Sequence, residues 1–380
     1  MSNYDVIEKS NLAVLKTGSV LSVNKKTAEP RHEWIESLAS DVRDRLDQNK
    51  KSVVVASGAI ALGRKDLGIP STTPPSKITL QMKQAASAIG QGYLYGAFRD
   101  AFAKVGLKTA QVLLTMAETE NRTAYLNARA TLLTLLNNGI IPIINENDTI
   151  STEEIRYGDN DRLAVRVAQT VDADLVILLS TTDGLFTADP TKHKDAAHIP
   201  FIQQITDDHI EMAGDAVPGL STGGMKSKID AAVKATRAGI TLMIASGVEN
   251  YPLKRLEQGG LSTVFQATEC RHNARKRWIQ AHLNPKGSVF IDDGAVSALL
   301  NGKSLLPVGV KELSGTFQRG DTISIKSKTD NKIIGMGIVA YNKEDALKII
   351  GQSSQKILEA LGYAGRDELI HRDNLVLMNP

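Results

Sequence analysis

Apolar residues along the chain follow two rhythms. From Leu12 to about Ala245, short apolar runs (Leu12–Leu15, Ser52–Ala56, Thr109–Leu114, Ile140–Ile144, Leu175–Leu179 and Thr241–Ala245) alternate with longer segments of helical period. Short continuous apolar runs fit strands buried on both faces. Between them, Ile35, Leu38, Ala39, Val42 and Leu46 recur at helical spacing, and Leu163, Ala164, Val167, Ala168 and Val171 form a second such stripe. Each stripe gives one apolar helix face. Strands and helices in alternation predict an α/β fold, a mostly parallel sheet between helix layers.

The texture changes after about Phe265. Gln266 to Trp278 is polar and basic, and beyond it come short β-like runs at Val289–Ile291, Thr322–Lys326 and Ile333–Ala340. Turn signals punctuate them at Asp293-Gly294, Ser314-Gly315 and Arg319-Gly320-Asp321. This predicts a large α/β domain over residues 8–265, a linker over 266–284, a small β-rich domain over 285–360 and a tail over 361–380. A chain of 380 residues suits two or three domains at roughly 150 residues each.

Composition narrows the function classes. With 42% hydrophobic and 23% charged residues the chain is that of an ordinary globular protein, not a disordered one. The formal charge of +3 gives no general case for nucleic acid or an anionic membrane as main partner. Cys270 is the sole cysteine, so an intrachain disulfide is excluded. The seven histidines show no HxH, HxxxH or HExxH spacing. The first ten residues carry Asp5 and Glu8 without an apolar leader core, and no apolar run approaches a membrane span, so a cytoplasmic protein is expected.

In open α/β sheets ligands sit beyond the carboxyl ends of the strands, so the residues that follow each strand carry the most information. Here these are Lys16-Thr17-Gly18-Ser19, Ala56-Ser57-Gly58-Ala59 and, leading into a later helix, Ser221-Thr222-Gly223-Gly224-Met225-Lys226-Ser227-Lys228. Glycine lets backbone approach a phosphate, helix-start N–H groups point at it, and lysine supplies countercharge. None is a Walker A loop or a GxGxxG fingerprint. One such loop alone is more often a turn; three on one sheet edge favour a phosphate site. Asn145-Glu146-Asn147-Asp148 and Gly158-Asp159-Asn160-Asp161 fall in the same zone. The first also reads as an Asx-rich turn, and Asp159 as a helix N-cap. Asp148 and Asn160 suit an α-ammonium group, and Asp159 with Asp161 could fix two lysines. A tight metal cage is disfavoured because the clusters lack an EF-hand spacing.

Those words, together with Leu126-Asn127-Ala128-Arg129 and the run Pro142 to Asp148, closely resemble the glutamate 5-kinase family, a branch of the amino acid kinases. The likeness is collinear from about Asn11 to Tyr363, and Ile291-Asp292-Asp293-Gly294-Ala295 with Lys303-Ser304-Leu305-Leu306-Pro307 resembles the PUA domain many bacterial members carry. The resemblance implies an amino acid kinase fold that transfers the γ-phosphoryl of ATP, with Mg2+ held mainly by the ATP phosphates, to the side chain of L-glutamate. It implies catalytic roles for Lys16, Lys228 and Asp159, with Asp161 as a weaker alternative to Asp159. Glutamate would be held by Ser57, Asn145, Asp148 and Asn160. ATP would be held by Lys16, Gly18, Ser19, Ser180, Thr181, Thr222, Gly223, Gly224, Met225, Lys226, Ser227 and Lys228.

The resemblance further implies inhibition by proline around Glu146 to Tyr157, a homo-oligomer, and coupling to a glutamyl-phosphate reductase. One departure stands out: Thr181, in Ser180-Thr181-Thr182-Asp183-Gly184-Leu185-Phe186, replaces the aspartate usual in the family near the nucleotide. Two other readings stand beside this one. The first is another amino acid kinase, acting on aspartate, acetylglutamate or a small phosphate. The second is an RNA-directed factor, suggested by PUA domains elsewhere and by Arg271 to Arg277, against which the small net charge favours a solvated linker.

Overall fold

The computed structural model describes residues 3–116, 118, 122–150, 159–213, 224–267 and 285–378, without the side chains of Pro75, Arg122 and Asp159. The chain divides into two compact units, Met1–Arg271 and His272–Pro380. The expected calls on Gly158, Thr222, Gly223, Cys270 and Arg271 to Arg277 lie outside the described residues.

All six apolar runs are strands of one sheet. They are β1 (Leu12–Thr17), β2 (Lys51–Val55), β3 (Lys108–Leu114), β4 (Ile140–Glu146), β5 (Leu175–Ser180) and, after a two-residue β6 (Phe201–Ile202), β7 (Thr241–Ser246). An eighth, β8 (Ser262–Phe265), completes the order β6-β8-β7-β5-β1-β2-β4-β3. From β7 through to β3 every pairing is parallel, and only β8 runs antiparallel to its neighbour β7.

Period-two alternation sends side chains to both faces. Ala13, Leu15, Val54, Ile143, Ile177 and Met243 share one core with helices α1 (His32–Asp47), α2 (Ala59–Gly63) and α3 (Leu80–Lys104). Val14, Val53, Val55, Ile144, Val176 and Leu178 share the other with α4 (Arg122–Asn137), α5 (Asp159–Val171) and α6 (Met225–Arg237). The stripes of α1 and α5 are buried as their spacing predicts, apart from Leu46, which is partly buried at the edge of the core, each fully buried Leu, Ile or Val contributing about 1.5–3 kcal/mol of transfer free energy. Strand order reverses at β1, whose neighbours are β2 on one side and β5 on the other, so a crevice opens at their carboxyl ends.

The second unit has its own sheet, β9 (Gly287–Ile291), β10 (Val310–Gly315), β11 (Thr322–Ser327), β12 (Ile333–Ile338) and β13 (Leu375–Leu377), in the order β10-β9-β11-β12-β13. Val289, Ile291, Leu299, Ile323, Ile325, Ile349 and Ile370 form its core. Helices α7 (Asp293–Leu300) and α8 (Lys343–Ile349) are N-capped by Asp292 and Asn342, whose side chains accept from Ala295 N at 2.8 Å and Asp345 N at 2.7 Å. Residues 361–380, read from sequence as a tail, supply β13, the fully buried Leu369 and Ile370, and a bridge from Ile370 to Leu305. Among the described residues no helix is long and apolar enough to cross a membrane.

Candidate active site

The chemistry-bearing side chains gather at the carboxyl ends of the central strands. Lys16 is the penultimate residue of β1, in register with Val55 on one side and Leu178 on the other, which puts it at the reversal of strand order. Gly18 and Ser19 follow and open the short helix Ser19–Ser22. After β2, Gly58 adopts φ +130°, and a Cβ there would lie 2.7 Å from Val23 Cγ2, so both conformation and space demand glycine. Asn145 sits near the end of β4, Asn160 and Asp161 lie in the first turn of α5, and Lys228 lies in the first turn of α6.

Three of these groups form one buried ionic cluster. Lys16 Nζ lies 2.7 Å from Asp161 Oδ1, and Lys228 Nζ donates to Asp161 Oδ2 at 3.0 Å. Asp161 is fully buried and both lysines nearly so. Burial alone raises the Asp161 carboxyl, but the Lys16 and Lys228 charges and their hydrogen bonds outweigh it and hold the group below the usual aspartate value. Burial pushes the Lys228 ammonium below the usual lysine value; Asp161 opposes this, and the Lys16 charge adds to it. Both ammonium groups share the Asp161 carboxylate, and paired lysines at the carboxyl end of a strand are a place to which an anion such as phosphate is drawn.

Beside this cluster lies a network of amides and hydroxyls. Asn160 Nδ2 donates toward Ser57 Oγ at 2.7 Å, Asn145 Oδ1 at 3.0 Å and the Ala56 carbonyl at 3.0 Å. Asn145 Nδ2 donates to Gln91 Oε1 at 2.7 Å, and Ser87 Oγ donates to Asp148 Oδ2 at 2.6 Å. Asn160 Oδ1 is buried and accepts no hydrogen bond from the described residues. A buried acceptor left open in a polar pocket is a place for a ligand donor. Consecutive residues of α5 thus face the two halves of the site, Asp161 the lysines and Asn160 the amides.

The structure brings together Lys16, Lys228 and Asp161, and separately Ser57, Asn145 and Asn160, with Asp148 tied to α3. Asp161, the weaker sequence candidate, is the carboxylate that holds both lysines, while the Asp159 side chain lies outside the described residues. Gly224 is the N-cap of α6, Met225 and Ser227 are half-buried, and Lys226 is exposed. Ser180 closes β5 and Thr181 beyond it is exposed. Ser87 and Gln91 escaped the sequence reading. Their signal was present: both fall in the buried stripe of α3 among Ala86, Gly90, Leu94, Ala97 and Phe98, where a polar residue needs a partner.

Comparison with known proteins adds to this geometry. A sequence model of the amino acid kinase family matches residues 11–246, and one of the PUA domain matches residues 287–361. A glutamate 5-kinase of Gluconobacter oxydans (strain 621H) is 49% identical over 367 residues, which is 97% of this chain and 96% of that protein. A glutamate 5-kinase of Brucella ovis is 48% identical over 364 residues, 96% of this chain and 95% of that protein. Among solved structures, a UMP kinase from Bacillus anthracis shares 14% identity at a TM-score of 0.46, over 68% of this chain and 97% of that one.

Proposed function

Because the chain belongs to the amino acid kinase family and joins that fold to a PUA domain, we propose that it catalyses the glutamate 5-kinase reaction, the first step of proline biosynthesis. In it, a side-chain carboxylate oxygen of L-glutamate attacks the γ-phosphorus of ATP, the bond from that phosphorus to the bridging oxygen breaks, and L-glutamyl 5-phosphate and ADP are released. The observation that carries this reading is the buried pair of ammonium groups on Asp161 beside an amide cluster with an open acceptor. A glutamate side chain with a pKa of about 4.3 is already ionised at neutral pH, so the nucleophile needs no general base. What remains for the protein is to align two anions and stabilise charge on the transferring group.

Lys16 and Lys228 would then face phosphoryl oxygens, Asp161 would hold them apart and oriented, and backbone N–H groups around Gly18, Ser19 and Gly58 would cradle the phosphates. Ser57, Asn145, Asp148 and Asn160 would hold glutamate, with Asn160 Oδ1 a natural acceptor for its α-ammonium. Ser180, Thr181 and the segment from Thr222 to Lys228 belong to the nucleotide side, and Thr181 in place of a carboxylate bears on nucleotide affinity or base preference. Mg2+ would be held mainly by the ATP phosphates, whose charge it neutralises. Proline inhibition, a homo-oligomeric state, coupling to glutamyl-phosphate reductase and a cytoplasmic location are further parts of this proposal and rest on the family resemblance. So does the division into a kinase domain over 8–265 and a PUA domain over 285–360.

Incubation with MgATP, L-glutamate and hydroxylamine tests the reaction, since an acyl phosphate is trapped as the hydroxamate. Folded protein that yields none refutes the reading. In the same assay, Lys228→Ala is expected to lower kcat on the order of a hundredfold or more with a smaller change in KM. An unchanged kcat with only a raised KM would remove that role from Lys228.

A further inference from the structure

Helix α3 sends two polar side chains, one turn apart, into the amide half of the site. Ser87 and Gln91 are both buried on a helix face otherwise made of Ala86, Gly90, Leu94, Ala97 and Phe98. A buried hydroxyl and a buried carboxamide on such a face cost desolvation that alanine and leucine would not. Both are hydrogen-bonded to residues assigned to glutamate, Ser87 donating to Asp148 and Gln91 accepting from Asn145. We propose that Ser87 and Gln91 are positioning residues that set amino acid affinity through Asp148 and Asn145, an inference that rests on the glutamate-site reading given above.

The directionality of the network explains what Gln91 does. A carboxamide can turn over and exchange its oxygen and nitrogen, so its orientation follows from its partners. The Ala56 carbonyl is a backbone acceptor and cannot turn over; it requires the Nδ2 end of Asn160 to face it. Asn145 must then present Oδ1 to Asn160, which directs its own Nδ2 toward α3. Gln91 Oε1 receives that Nδ2 and closes the chain, leaving Asn160 Oδ1 as the open acceptor. Ser87 acts on the neighbouring group: its hydroxyl holds one oxygen of Asp148 in a short hydrogen bond and so restrains where that carboxylate sits.

The two residues are held in register by the closest helix approach near the site. A Cβ on Gly90 would lie 1.9 Å from the Ala59 carbonyl oxygen, and a Cβ on Gly63 would lie 1.9 Å from that of Ala86. Backbone thus meets backbone on both sides, and α3 cannot slide along α2. Gly90 falls between Ser87 and Gln91, and α2 follows directly on Ser57 and Gly58. The donor from Ser87, the acceptor from Gln91 and the Ser57 hydroxyl therefore stand in a fixed relation, as positioning of a small ligand requires.

Steady-state kinetics of the full-length chain with MgATP test this, using Ser87→Ala, Gln91→Met and Gln91→Glu. Loss of one buried hydrogen bond to a ligand-holding residue is expected to raise the glutamate KM about tenfold in Ser87→Ala and in Gln91→Met. The ATP KM and kcat should stay within about threefold of the parent. Gln91→Glu retains an acceptor for Asn145 Nδ2 and should recover most of the affinity, which a purely structural role would not predict. Should Gln91→Met not fold, Ser87→Ala, which removes a single oxygen, and Gln91→Glu still decide the matter. An unchanged glutamate KM in the folded variants, or equal losses in kcat and both KM values, overturns the proposal. Asp148→Asn separates the two levels: if it weakens glutamate while Ser87→Ala and Gln91→Met do not, only the positioning role falls; if it too leaves the glutamate KM unchanged, the glutamate-site reading falls with it.

Discussion

A buried lysine stays charged only beside a counterion, and Asp161 supplies one carboxylate to both Lys16 and Lys228, the lysines proposed to face phosphate. Because burial holds Lys228 below the ordinary lysine value while Asp161 pulls it back up, kcat/KM for ATP should fall on the alkaline side with an apparent pKa under the usual value of about 10.4. Asp161→Asn removes the upward pull, so this alkaline limb should move to lower pH, along with a large loss of kcat. A pH profile in which the limb stays in place would separate Lys228 ionisation from the rate. At this scale Lys16, Lys228, Asn145 and Asn160 stand out from sequence as candidates, because each falls at the carboxyl end of a strand or in a helix's first turn. From sequence Asp159 ranked ahead of Asp161; two residues apart on a helix they point roughly 200° apart, and packing against β1 and α6 brings Asp161 to both lysines. Ser87 and Gln91 were hidden for the opposite reason, lying in mid-helix far in sequence from any strand end.

Among elements, the crossing of α2 and α3 is the least tolerant contact in the site's frame. Gly90→Ala places a methyl against the Ala59 carbonyl with no flexible side chain to yield, so the helices must part. Overpacking of this kind typically costs about 1–3 kcal/mol or more, and the shift moves Ser87 and Gln91 away from Asp148 and Asn145. The expected outcome is a lower urea midpoint together with a raised glutamate KM; a variant with parental midpoint and KM would show that the helices separate freely. The strands were legible because two-sided burial writes them as continuous apolar runs, and α1 and α5 because each keeps an uninterrupted stripe. Helix α3 was not, since Ser87, Gly90 and Gln91 interrupt its apolar face with residues chosen for close approach and hydrogen bonding. β8 was too short for its pattern to be read, and its antiparallel pairing with β7 is a tertiary choice.

Across the whole molecule, two cores divide the work. Every described site residue lies in the first unit, whereas Val289, Ile291, Ile323, Leu369 and Ile370 belong to a core confined to the second. The change of texture near Phe265 suggests a boundary in the sequence, but the extent of the second unit was not readable, because three residues of β13 carry too little pattern to mark a strand. Pairing supplies what pattern lacks: Leu375, Val376 and Leu377 lie antiparallel to Gly337, Met336 and Gly335, and a Cβ on Gly335 would sit 2.5 Å from the Val376 carbonyl oxygen. A chain ending at Leu361 therefore loses an edge strand and two fully buried side chains, Leu369 and Ile370. Each such loss costs about 2–5 kcal/mol by analogy with truncation of core leucines and isoleucines, against a total stability of about 5–15 kcal/mol for a domain. The second unit should then be unfolded at room temperature. Calorimetry of the full chain and the truncated one is expected to show one unfolding transition missing from the latter, with hydroxamate formation from MgATP and glutamate retained. Two surviving transitions would mean that residues 362–380 are dispensable to that core, and abolished hydroxamate formation with the first unit still folded would mean that the second unit contributes to the reaction.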